Sequence, residues 1–184
     1  MKWEDFDEAT KEYGGKSEFY QMEEGSNKCR VVSAPEVLAQ HWKSNKPIIC
    51  VGLNQGCLEC QKGIGAPDKL WKPVVRFLMN VIDRKDDQVK MAQFGWTIAN
   101  FLRDFKKNPQ YAWEGDIMPY DITINKTRTG TRPTDIEYSV IADRNNIELT
   151  ENEKVRIHEA KTPAQVIAAL KGKKDEVEID DIPL

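Results

Sequence analysis

Between His41 and Cys60 the chain reads HWKSNKPIICVGLNQGCLEC, which holds one of its two histidines and three of its four cysteines. Cys57 and Cys60 form a CxxC knuckle, a spacing that lets two thiolates reach one tetrahedral ion at about 2.3 Å. Six residues separate Cys50 from the knuckle and eight separate His41 from Cys50, so three sulfurs and one imidazole can close around Zn2+. Gly52 and Gly56 supply the backbone freedom of a tight loop. A redox CxxC would open a helix inside a βαβ unit; here the pair sits in a Gly-rich loop after the apolar IICVG. Structural zinc is the expectation, with Cys29 the alternative to His41 as a ligand.

A second set of residues suits polyanion binding. Single-strand sites need cations that track phosphates and aromatic faces on which bases stack, each base worth about 1–3 kcal/mol. Trp42 is flanked by Lys43 and Lys46, Trp71 is followed by Lys72, and Trp96 follows Lys90 and Phe94. Arg30, Arg76, Arg84, Lys126, Arg128 and Arg132 are the phosphate candidates, and they carry weight only as a set. Any one of these tryptophans could instead simply pack in a core.

The net charge of −3 conceals a segregation. Residues 1–24 sum to −5, residues 25–147 to +5 and residues 148–184 to −3. Such asymmetry says more than the total. At 184 residues with 40% hydrophobic content, one domain with appendages and a real core is expected. The sequence shows no secretory signal pattern and no apolar run long enough to span a membrane. Cysteines at ligand spacing point to a reducing, cytoplasmic setting.

The elements that must hold these residues are short. Residues 1–18 read as an acidic N-terminal arm. SEFYQM, the EEGSN turn and KCRVVSAP read as strand, turn and strand, and IICVG as the strand entering the zinc loop. In WKPVVRFLMNVIDR one parity (Val75, Phe77, Met79, Val81) is apolar and the other partly basic, so it reads as a strand with one face on the core. RKDDQ turns the chain into VKMAQF. Ile98, Phe101, Leu102 and Phe105 recur at helical spacing, with Lys106 and Lys107 in the last turn and Pro109 beyond. YDITINKTRTG and TDIEYSVIAD form a second hairpin, Ile122, Ile124, Ile136, Tyr138 and Val140 facing inward. Thr150 with Glu153 is a capping box, and Thr162 with Pro163 opens a further helix that stops near Gly172.

Short strands, one internal helix and no βαβ alternation predict a mainly β protein with helices (α+β). The expected architecture is a small closed OB-type barrel of five to six strands with a helix at its base, an inserted zinc loop and C-terminal helices. Its core spans residues 19–147 with the zinc element at 41–60, followed by two short helices over 148–172 and an acidic tail at 173–184. Five of the seven residues Asp175–Asp181 are acidic, a run that is usually a solvated tail. Ending in Ile182-Pro183-Leu184, it also reads as a docking peptide, with Asp180, Asp181, Ile182, Pro183 and Leu184 the partner-binding candidates.

A Cys/His zinc element set into an OB-type barrel resembles the phage single-stranded DNA-binding, or helix-destabilising, proteins. The ligand order of that family, His, Cys, then CxxC, is matched by His41, Cys50, Cys57 and Cys60. The RFLMNVIDR, FGWTI and YDITI segments also look like those of such proteins, and the resemblance covers roughly residues 1–170. The spacing around the zinc is shorter than in the best-known members, and residues 1–24 are acidic where a basic self-association arm is known. DDIPL is similar to the tip of bacterial single-stranded DNA-binding proteins, with Leu184 where an aromatic is usual. The resemblance implies sequence-independent single-stranded DNA binding in replication, recombination and repair, in host cytoplasm if phage-encoded. It also implies recruitment of replication and recombination proteins through the tail, and self-association on DNA.

Two rival classes share parts of this pattern. A zinc-ribbon adaptor between proteins would use the same metal loop without needing the basic middle. An enzyme would need a phosphate loop, a deaminase motif or carboxylates around an open metal, and a closed four-ligand set leaves no position for activated water. A binding protein and not an enzyme is therefore expected.

Overall fold

Alternating apolar residues and one amphipathic helix account for most of the observed elements. The computed structural model describes residues 19–43, 46–52, 54, 56–63, 72–132 and 134–172. Strand β1 (Gly25–Val31) and β2 (Glu36–Lys43) are followed by β3 (Lys46–Ile49) and the short helix α1 (Leu58–Lys62). Then come β4 (Val74–Asp83), β5 (Gln88–Phe94), α2 (Trp96–Lys107), β6 (Ile122–Arg128) and β7 (Ile136–Ala142). Helices α3 (Glu151–Glu159) and α4 (Pro163–Gly172) close the described chain. The protein is α+β, and none of the described helices is long and apolar enough to cross a membrane.

All pairings between the seven strands are antiparallel, in the order β3-β2-β4-β1-β6-β7 with β5 on the other edge of β4. The ten-residue β4 is the hub. Val74–Leu78 pair with β2 and Val81–Asp83 with β1, while β5 runs along the opposite edge from Phe77 to Asp83. β1 and β2 thus form one bent strand along β4. The bend is held where Val32 N–H donates to the Asn80 carbonyl at 2.9 Å and Ser33 Oγ accepts from Asn80 N–H at 2.8 Å.

One sheet face wraps around α2. Cys29, Val31, Met79, Val81, Ala92, Phe94, Ile122, Ile124, Val140 and Ala142 bury against Ile98 and Leu102. Each large apolar side chain so buried contributes about 1.5–3 kcal/mol. The opposite face of β2, β4 and β5 presents Leu38, Leu78 and Met91 to Ile167 and Val166 of α4. α3 opens with the expected capping box, in which Thr150 and Glu153 exchange both hydrogen bonds.

The sheet is open. β5 pairs only with β4 and β7 only with β6, and α2 packs against β7 as well as against β4 and β5. The β5–β7 ladder that would close a barrel is absent among the described residues. Two further local expectations change. SEFYQM is not a strand within its described part: Phe19 makes a single parallel bridge to Met91, and Tyr20 turns into the core beside Phe94. EVLAQHWK, unmarked by clean alternation, is β2. Its Gln40 is buried and accepts a hydrogen bond from Gln93 Nε2 at 3.2 Å, so a polar letter stands at an inward position.

Candidate metal centre and nucleic-acid interface

The β2–β3 hairpin and the knuckle after it bring four ligands together. The ligand atoms of His41, Cys50, Cys57 and Cys60 all lie within 4.8 Å of one another. Cys50 Sγ is 3.4 Å from Cys60 Sγ, and His41 Nε2 is 3.4 Å from Cys57 Sγ and 3.3 Å from Cys60 Sγ. A tetrahedron with bonds of about 2.3 Å has edges of about 3.8 Å, so this spacing fits one small ion. It is far too long for a disulfide, and all four cysteines are free.

The backbone explains the convergence. Cys50 N–H donates to the Ala39 carbonyl at 2.8 Å, pinning the end of β3, and the second ligand with it, to β2. Gly52 and Gly56 take φ of +91° and +79°, the left-handed region that costs glycine little. Cys57 then caps α1, whose one buried residue is Cys60. Burial, together with the Cys50 and Cys57 thiols beside it, pushes the Cys60 thiol up. Burial opposes ionisation of Cys57 as well, but hydrogen bonds from the Cys60 backbone and from neighbouring thiols and His41 outweigh it and lower that thiol. Thiolates this close need a cation to coexist. Cys29 lies elsewhere: it is fully buried in the α2-facing core, and burial pushes its thiol up to about 12. The four-residue set is therefore His41 with Cys50, Cys57 and Cys60.

The expected phosphate contacts divide in two. Arg30 is fully buried; its Nε donates to Asp121 Oδ1 at 2.8 Å and its Nη1 to the Ile147 carbonyl at 2.7 Å. Arg84 grips Asp121 through two bonds of 2.9 and 3.0 Å and also pairs with Asp87 and Glu153. Lys90 is held by Asp83 at 2.6 Å and Asp86 at 2.8 Å. Phe94 is fully buried against Tyr20. These four are corrected from DNA contacts to structural residues, because their charge or ring face is already consumed inside the fold.

The rest reach solvent to differing degrees. Lys72 and Arg128 are exposed and make no ion pair with described residues, while exposed Arg132 sits 3.5 Å from Asp135. Arg76 is half-buried with its guanidinium against Gly95, and Lys126 donates to the Met22 carbonyl at 3.0 Å. Trp42 is half-buried on the β2–β3 hairpin, whereas Trp96 is 56% exposed. Trp71, residues 1–18, the side chains of Lys43 and Lys46, and Asp180, Asp181, Ile182, Pro183 and Leu184 lie outside the described residues.

An apolar cleft of about 470 Å³ opens beside α2. Its walls include Phe77, Met79, Trp96, Leu102, Trp113 and Met118, with Arg103, Lys106 and Lys107 among its polar lining and Asp116 its one carboxylate among the described residues. Trp96 meets the edge of Phe77 at 4.8 Å and 79°. Lys106 lies 4.6 Å over the Trp113 ring and donates to the Gly115 carbonyl at 2.7 Å. The helical pattern around Leu102 marked a core face, and the two lysines marked a helix end. Nothing in the spacing of Trp113 announced that it would share a wall with Trp96, 17 residues earlier. No protein-family model matches the chain, and no curated protein matches it either.

Proposed function

We propose that this protein binds single-stranded DNA without sequence preference and holds a structural Zn2+ in the His41–Cys50–Cys57–Cys60 cluster. One observation carries the reading. The strand order β5-β4-β1-β6-β7, with α2 between β5 and β6, supports reading the open sheet as a partly open OB-type barrel. Connections of the kind such folds use for oligonucleotides here hold the metal cluster, in the segment before β4, and the exposed Arg132 in the β6–β7 loop, with exposed Arg128 at the end of β6 beside it. Phosphates would be met by Lys72, Arg76, Lys126, Arg128 and Arg132, and bases by Trp42 and Trp96. Zinc would hold the hairpin and knuckle as one rigid wall; with four protein ligands it has no open position for reactive water. The chain then acts by binding and not by catalysis, in a reducing compartment where its thiols stay free. Partner recruitment by the acidic segment 173–184 belongs to the same proposal.

The test is binding of unlabelled oligo(dT), followed by intrinsic tryptophan fluorescence at two salt concentrations with duplex DNA as competitor. Stacking quenches the signal, and counterion release weakens binding steeply as salt rises. No binding at low salt, or equal affinity for duplex, overturns the proposal. A protein–protein adaptor is favoured by one observation, the exposure of Leu58 and Ile48 beside the metal cluster. It predicts no quenching and no salt dependence.

A further inference from the structure

Building on the single-strand reading, we propose that the cleft between α2, β4 and the β1–β2 bend captures one unstacked nucleobase against Trp96. The adjoining backbone phosphates would meet Arg103 and Lys107 on the α2 lip. This site is separate from the β6–β7 loop and the metal cluster, and it lies on the sheet face turned toward α2, not on the face covered by α4.

Size, chemistry and rigidity agree. A volume of about 470 Å³ lies in the range of small-ligand pockets, which run from roughly 300 to 1,000 Å³. The walls are dominated by aromatic and aliphatic side chains, so a phosphate or sugar would be poorly solvated inside while the π-face of a base would not. Trp96 is 56% exposed although its ring is propped by the edge of Phe77. A large indole held in place with much of its surface in water is a preorganised stacking platform, and little ordering cost remains to be met on binding. Trp113 is steadied in the same way by Lys106.

The charges are arranged for an anion-bearing ligand. Along α2, Trp96, Asn100, Arg103 and Lys107 follow one another at helical spacing on the cleft side. At 1.5 Å per residue, Arg103 stands roughly 10 Å beyond Trp96 along the axis. Among the described residues Lys107 makes no ion pair, and Arg103 is paired only with its exposed neighbour Asp104 at 3.0 Å. Arg103, Lys106 and Lys107 thus outnumber Asp116 around an apolar slot. A neutral apolar ligand would not call for them, and an acidic peptide would not call for an exposed flat ring between them.

The experiment uses the full chain and fluorescein-labelled dT oligonucleotides followed by anisotropy, with Trp96→Ala, Trp96→Phe and Arg103→Glu/Lys107→Glu variants. Trp96→Ala is expected to weaken binding by roughly five- to hundredfold, the span of one stacked base, and Trp96→Phe to recover most of it. The exposed double charge reversal leaves folding intact and is expected to reduce the salt slope by about 1–2. Irradiation of a 5-bromodeoxyuridine oligonucleotide should crosslink to the peptide carrying Trp96. If wild type binds but Trp96→Ala and the charge reversal both stay within twofold and the crosslink maps elsewhere, the cleft is not a base site and single-strand binding stands. If wild type binds no oligonucleotide, the single-strand reading itself fails.

Discussion

Replacing Glu153 by Gln should cost about 2–3 kcal/mol at neutral pH, and the loss should disappear in acid. The Glu153 side chain is only 9% exposed and pairs with Arg84, while its second oxygen accepts from Thr150 N–H at 2.7 Å and Thr150 Oγ1 at 2.9 Å. Burial alone would raise its pKa. The Arg84 guanidinium and the Thr150 donors overcome that and lower it from 4.5 to about 2. At about 1.4 kcal/mol per unit, the folded state gains roughly 3 kcal/mol from the ionised form. Because the folded pKa is depressed, this stability is fully present above about pH 4.5 and is lost as pH falls through about 2. Gln can still complete the capping box, so the substitution isolates the charge. Urea midpoints for both proteins at pH 7, 4.5 and 3, at constant m, give the difference directly. It should fall below half its neutral value by roughly pH 3. A gap of the same size at pH 7 and pH 3 would refute an ionised, Arg84-bound Glu153.

Other outcomes follow from the cluster and the buried charges. Cys60→Ser and Cys57→Ser should lose bound metal and melt at lower temperature, since metal affinity at such sites is folding free energy. Cys29→Ser should keep one metal per chain by elemental analysis, and loss of metal there would overturn the four-ligand set. Arg30→Ala should destabilise the fold by about 3 kcal/mol or more by leaving buried Asp121 short of a partner. It should leave oligonucleotide affinity of the folded fraction unchanged, and a specific affinity loss would restore Arg30 as a phosphate contact. Arg128→Ala, on an exposed side chain, should instead lower the salt slope by about 1 with no change in thermal midpoint.

The local signals in the chain were legible because each arises from a few neighbouring residues. Period two in VVRFLMNVID and QVKMAQF, the helical stripe Ile98–Leu102, the capping box at Thr150 and the His41–Cys50–Cys57–Cys60 spacing all survive folding. The partners of charges did not lie within reach of such reasoning. Arg30 finds Asp121 91 residues away and Arg84 finds Glu153 69 residues away, so an arginine on a strand looked the same whether it met a phosphate or a buried carboxylate. β2 was hidden for a related reason. Its buried Gln40 is satisfied by Gln93 across β4, which breaks the alternation that would have marked a strand. Trp96 and Trp113 share a cleft only because the chain after α2 folds back beside the helix. Composition and spacing determined which chemistries were available. Long-range pairing decided which charges and rings remained at the surface to use them, because a buried charge must be matched by whatever the fold brings next to it.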